Sequence, residues 1–213
     1  MPETRDPALP WLLFDIGGVL ITRPDDIGAL TRALDPAGVT GEDAEARVRE
    51  AFDAHRDDYD LGGSAREFWD AVAADVDAEI PSEDGLRELV AIEQRRWGSP
   101  DDEVLAALDR AIAAGYRLAV LSNAPHELAD VLEDRSGWGA RFEHVMTSAR
   151  LGMAKPDADV WPVAVARLGV PAERILFVDD KPANVEAARR AGLHAHVWED
   201  LGTLDRILDG TLS

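Results

Sequence analysis

The sequence predicts an α/β fold: a parallel sheet covered by helices on both faces, with a helical segment inserted after the first strand. Three observations point there. Five short apolar runs recur along the chain, helical segments alternate with them from residue 101 onwards, and the stretch from Pro24 to Gly98 has helical periodicity without a strand. Strand–helix–strand repetition builds parallel pairs, because each crossover helix returns the chain to the same end of the sheet.

Trp11-Leu-Leu-Phe-Asp15 is a continuous apolar run closed by a carboxylate and then Gly17-Gly18, the pattern of a strand buried on both faces that ends in a tight turn. In the insertion, helices are expected over Ile27–Leu34, Glu42–Asp57, Ser64–Val76 and Ser82–Trp97, with Tyr59-Asp60-Leu61-Gly62-Gly63 as a loop. Residues 24–100 carry 20 acidic and 8 basic side chains, more than half of the net charge of −20. A helix over Asp101–Ala114 starts behind Ser99-Pro100 and stops at Gly115. Strands at Arg117–Ser122, Phe142–Thr147, Arg174–Asp179 and His194–Trp198 then alternate with helices at His126–Arg135, Asp157–Leu168 and Pro182–Ala191, the last two halted by Gly169 and Gly192. Together these describe a Rossmann-like parallel sheet.

Composition narrows the function. At 213 residues and 23.1 kDa the chain holds one full-sized domain and a modest insertion. With 42 acidic against 22 basic residues, nucleic acid and anionic membrane surfaces would be repelled. The apolar run from Trp11 to Phe14 is too short for a signal peptide or a membrane span, and the absence of cysteine removes disulfides, thiolate nucleophiles and Cys-based zinc sites. A cytoplasmic protein, monomer or homodimer, is expected. Only two of the 22 cations are lysines, Lys155 and Lys181, in a chain that otherwise uses arginine.

In an open parallel sheet, ligands bind beyond the carboxyl ends of the strands. There the sequence puts Asp15, Ser122-Asn123, Lys155 (before the helix after the third strand) and Asp179-Asp180. One polar residue at a strand end commonly just caps the next helix; four such segments on one edge make a site. Three carboxylates near one point need a cation or a shared proton, and hard oxygen ligands without His or Cys suit Mg²⁺. Ser122, Asn123 and Lys155 then form a cradle for a phosphate, with Asp15 as a nucleophile of the aspartyl-phosphate kind.

Phe14-Asp15-Ile-Gly17-Gly18-Val19-Leu20, Leu121-Ser122-Asn123, Lys155-Pro156 and Phe177-Val178-Asp179-Asp180-Lys-Pro-Ala-Asn184, in that order, resemble the four motifs of the haloacid dehalogenase superfamily. A receiver domain also uses an aspartyl-phosphate, but its acid pair belongs to the first strand, not the fourth. The resemblance implies a core from residues 1–23 and 99–213 with a helical C1 cap over 24–98. It implies Asp15 as nucleophile and Mg²⁺ ligand, with the Gly17 carbonyl, Asp179 and Asp180 completing the metal sphere. Ser122 and Asn123 would bind the phosphate of a small metabolite, and Lys155 would orient that phosphate and Asp15. Lys181 has no such role.

The departure is at Gly17, where most phosphatases of the family carry a second Asp that protonates the leaving group and activates water. General acid–base help is worth roughly 10²–10⁴ in rate, so its loss bears hardest on poor leaving groups. Three readings follow: a phosphatase for a ready leaving group such as a sugar 1-phosphate, or with its acid supplied by the cap or by solvent, similar to the α-glucose-1-phosphate phosphatase branch; a haloacid dehalogenase, against which the Asp179-Asp180 pair argues; or a catalytically weak phosphate-binding protein. Leaving-group contacts are sought at Arg23, His55, Tyr59 and Leu61-Gly62-Gly63, although Tyr59, Phe68 and Trp69 also fit a cap core at helical spacing. His126 can face the pocket or the surface, His194 and His196 pack or stay on the surface, and Trp138, Trp161 and Trp198 suit either a core or a dimer face.

Overall fold

The computed structural model describes residues 10–22, 27–35, 38–80, 82–134 and 136–212. Five strands, β1 (Trp11–Phe14), β2 (Arg117–Ser122), β3 (His144–Thr147), β4 (Ile175–Asp179) and β5 (His194–Val197), form one sheet in the order β3-β2-β1-β4-β5, every pair parallel. β1 lies at the centre because it is apolar at every position and both its faces are covered. The chain steps from β1 out to β3, then crosses back to β4 on the other side of β1. The switch point therefore lies between β1 and β4, where side-by-side crossovers diverge and leave a crevice.

Alternating residues of the strands divide between two cores. Leu12, Phe14, Val120 and Val178 pack on one face with α6 (Asp102–Ala113), α7 (His126–Glu133) and α11 (Leu201–Leu208). Leu13, Leu121 and Phe177 pack on the other with α9 (Val160–Leu168) and α10 (Pro182–Arg190). Trp138, Trp161 and Trp198 are all buried in these two cores.

Between β1 and α6 the chain forms α1 (Ile27–Leu34), α2 (Ala44–Ala54), α3 (Arg56–Asp60), α4 (Ala65–Asp75) and α5 (Glu83–Arg96) around a third cluster that includes Phe52, Phe68 and Trp69. α4 starts with a full capping box between Ser64 and Glu67, and α5 with the Ser82 hydroxyl accepting from Gly85 N–H. The structure corrects the sequence reading in detail. The helix expected over Glu42–Asp57 breaks at His55, and Tyr59 and Asp60, expected in a loop, are the last turn of α3. β3 starts later than expected because Trp138–Arg141 forms a 3₁₀ turn before Phe142, and α9 starts at Val160 rather than Asp157. α8 (Ser148–Leu151) and α11 have no counterpart among the expected elements.

The five-helix insertion rests on α7 and α8. The Tyr59 hydroxyl donates to Glu127 Oε2 at 2.9 Å, Gln94 Nε2 donates to the Glu127 carbonyl at 3.0 Å, and the Ser148 hydroxyl donates to the Asp60 carbonyl. Burial, with the nearby Glu93 and Glu127 charges, pushes the Tyr59 pKa well above the ordinary tyrosine range, so the hydroxyl keeps its proton to donate.

Candidate active site

Beyond the carboxyl ends of β1, β2 and β4 lies a cavity of about 420 Å³, with Asp15, Ser122, Asn123, Lys155, Asp180 and Asn184 on the sheet side. Lys155 Nζ is fully enclosed between two carboxylates, 2.9 Å from Asp15 Oδ1 and 2.6 Å from Asp179 Oδ2. Burial draws the Lys155 pKa down, but the Asp15 and Asp179 charges outweigh it and hold the ammonium above the ordinary lysine value. Asp179, without exposed surface, also accepts from Lys181 N–H at 2.8 Å and from Asn184 Nδ2 at 3.0 Å to each oxygen. Four donor contacts on two oxygens make Asp179 the fixed anchor of the site.

Asn123 lines the cavity and is held on the lysine segment. Its side-chain oxygen accepts from Lys155 N–H at 2.9 Å and its Nδ2 donates to the Lys155 carbonyl at 2.7 Å, a two-point clasp on the backbone of the lysine. The side-chain amide thus positions Lys155. Ser122 is buried and lines the cavity at the end of β2.

The chemistry of the donor set fits a hard divalent cation. One carboxylate oxygen from each of Asp15, Asp179 and Asp180 lies within 4.8 Å of the others, and Asp180 Oδ1 is buried with no hydrogen-bond partner. Desolvation, with the Asp15 and Asp179 charges, raises the Asp180 pKa above the usual carboxylate value. Gly18 makes room for it: its φ of +81° and the Asp180 carboxylate where a Cβ would stand both require glycine. A carboxylate with a raised pKa costs stability at neutral pH, and the cost fades as the pH falls through that pKa. Asp180→Asn is therefore expected to raise Tm in EDTA at pH 7, by more than at pH 4, and to abolish the Mg²⁺-induced increase. Differential scanning calorimetry reads both.

At Gly17 the space is already filled. Two Trp97 ring carbons lie 3.1 and 3.2 Å from where a Cβ on Gly17 would be built. Trp97 ends α5, yet packs with the sheet-face core rather than with its own helices. The indole thus occupies the place next to Asp15 that a longer side chain at residue 17 would need.

Over the cavity, α3 presents Arg56, Asp57 and Asp60. The Arg56 guanidinium is buried, donating from Nε to Asp60 Oδ1 at 2.7 Å and from NH1 to Glu93. None of the leaving-group contacts sought in the sequence lines this space among the described residues. His55 turns away to Asp75 at 2.8 Å, Tyr59 stacks on Phe68 in the helical cluster, and Leu61, Gly62 and Gly63 lie outside the cavity; Arg23 lies outside the described residues. His126 sits at the seam, with Nδ1 3.1 Å from Arg150 NH1. His194 is exposed and His196 half-buried; Lys181 is exposed at the cavity mouth. Arg56, Asp57 and Asp60 could have been found only by knowing which turn of the broken helix faces the sheet.

A family model described as haloacid dehalogenase-like hydrolase matches residues 10–192. The chain is 28% identical over 190 residues to N-acetylmuramic acid 6-phosphate phosphatase of Pseudomonas aeruginosa, covering 85% of this chain and 77% of that protein. Its fold superposes with a TM-score of 0.72 on a HAD-like family hydrolase from Porphyromonas gingivalis, at 25% identity over 94% of this chain and 98% of that one. A HAD family enzyme from Bacteroides thetaiotaomicron, in complex with magnesium and inorganic phosphate, superposes at 0.69 with 20% identity, over 92% and 99% of the two chains. Among the described residues, no helix is long and apolar enough to cross a membrane.

Proposed function

Because the chain belongs to the haloacid dehalogenase-like hydrolases, we propose that it is a Mg²⁺-dependent phosphohydrolase that cleaves a small sugar phosphate in the cytoplasm, with Asp15 as nucleophile. The observation that carries this reading is the cluster itself: three neighbouring carboxylates, two of them paired with one buried lysine and the third with an oxygen left unpaired, at the switch point of the sheet. The phosphatase relative, which by its name acts on a sugar phosphate, and the magnesium and phosphate bound by the Bacteroides enzyme support it. The acid pair on β4 favours it over carbon–halogen cleavage, which needs no cation.

In this reading Asp15, Asp179, Asp180 and the Gly17 carbonyl hold Mg²⁺, which when bound screens the charge of the phosphate and lets an anionic nucleophile approach it. Lys155, pinned by Asp179 and clasped by Asn123, keeps Asp15 in place and offsets charge building on the phosphoryl oxygens. Ser122 donates its hydroxyl to the phosphate. An Asp15 oxygen bonds to phosphorus as the ester bond to the leaving group breaks. Water then attacks phosphorus, releasing inorganic phosphate and restoring Asp15.

With Gly17 in place of an acid, the departing oxygen must leave as an anion or take its proton from the cap or from solvent. An anomeric oxygen does so more readily than a primary alkoxide, which favours sugar 1-phosphates. The helices of residues 24–98 act as the cap, over a core of 1–23 and 99–213. Gly17→Asp alone is expected to destabilise the fold by about 1–3 kcal/mol through overpacking against Trp97. Combined with Trp97→Ala, it should raise kcat on alkyl phosphates more than on sugar 1-phosphates. Equal gains on both would remove the leaving-group argument.

The test is phosphate release from sugar 1-phosphates, sugar 6-phosphates, nucleotides and p-nitrophenyl phosphate, with Mg²⁺ and with EDTA. Metal-dependent turnover skewed towards 1-phosphates is expected. No release even from the activated aryl ester would contradict the proposal.

A further inference from the structure

The cavity roof is more acidic than its one arginine suggests. Arg56 does not face the cavity as a free cation: Asp60 and Glu93 hold it from two sides, and the Phe52 and Tyr59 rings lie 5.4 and 5.7 Å from its guanidinium carbon. Burial opposes its charge, but those carboxylates keep its pKa above the usual arginine value. Asp57, exposed and one residue along α3, adds a further carboxylate to the lining. The roof therefore sets one positive charge against two negative ones, with the buried Glu93 behind Arg56 as a third. Among the described residues lining the cavity, the other cations, Lys155 and Lys181, lie on the sheet side beside the aspartates.

Among the described residues, a second anion on the leaving group would enter under Asp57 and Asp60 with no roof cation other than the paired Arg56 to meet it. Two-carboxylate roofs suit hydroxyl groups instead, which donate to carboxylates and accept from the remaining guanidinium N–H groups. Trp97 adds a flat apolar wall beside Gly17, and an apolar surface with a few fixed polar groups is how neutral ligands are oriented.

We propose that this roof selects phosphate esters whose leaving group is an uncharged polyol, and discriminates against leaving groups carrying a carboxylate or a second phosphate. This inference rests on the phosphohydrolase reading but concerns binding, so it can be tested without turnover. The probes are two non-hydrolysable phosphonates, a glucosyl methylphosphonate and its glucuronate counterpart, which differ by one carboxylate at C6. Each is titrated calorimetrically into the wild-type chain with Mg²⁺.

The neutral phosphonate is expected to bind at least about tenfold more tightly. In Asp57→Asn the ratio should narrow, and in Asp57→Lys it should fall to one or reverse; because Asp57 is exposed, both variants are expected to fold. Equal affinities in the wild type, no binding of either probe, or a ratio unmoved in both variants would overturn the proposal. A discriminating ratio without phosphate release from p-nitrophenyl phosphate would instead overturn the phosphohydrolase reading and leave the roof's selectivity standing.

Discussion

Asp15→Asn is expected to lower Mg²⁺-dependent phosphate release by at least about 10⁴-fold, because removing a nucleophile removes the step that the rest of the site supports. The fold should survive. An asparagine oxygen can still accept from Lys155 Nζ, now 2.9 Å from Asp15 Oδ1, and the change removes one of three crowded carboxylate charges. Tm in EDTA is therefore expected to stay level or rise while activity disappears. Steady-state kinetics beside calorimetry checks both, and turnover within tenfold of wild type would take Asp15 out of the nucleophile role.

Lys155→Met should give the largest loss of stability among single changes at the site. The ammonium is the shared partner of Asp15 and Asp179, both buried, and its removal leaves two carboxylates without their cation. Breaking a buried pair in this way costs about 3–5 kcal/mol. For a chain of this size that is a fall in Tm on the order of 10 °C. Added Mg²⁺ should recover more stability in this variant than in the wild type, since the cation would then neutralise charges that Lys155 otherwise balances. Asp179→Asn in the same chain should recover part of the loss without metal, because the two sites are coupled. A Lys155→Met protein as stable as wild type in EDTA would show that the lysine does not carry the charge balance of the cluster.

The sheet and the sheet-side half of the site were legible in the sequence for one reason. β1, β2 and β4 are buried on both faces, so each appears as an unbroken apolar run, and the polar residue that ends it is conspicuous. Asp15, Ser122 and Asp179 are found by that contrast alone. The roof was not legible. His55 interrupts the helical register without a glycine or proline to mark the break, and one residue along a helix turns a side chain through about 100°. That rotation separates Tyr59, which stacks inward on Phe68, from Asp60, which faces the cavity. Trp97 against Gly17 joins residues 80 positions apart, a contact that no local pattern encodes. α8 was too short to leave a periodic signature, and the clasp of Asn123 on Lys155 depends on two loops meeting in space.

The central claim is a covalent phosphate on Asp15, and rapid quench into borohydride during turnover of a sugar 1-phosphate tests it most directly. Hydride reduces an aspartyl-phosphate to the alcohol, so peptide mass spectrometry should find homoserine at residue 15, only when Mg²⁺ and the ester are both present. Steady phosphate release with Asp15 unmodified at every quench time, or with homoserine at another aspartate, would contradict the account.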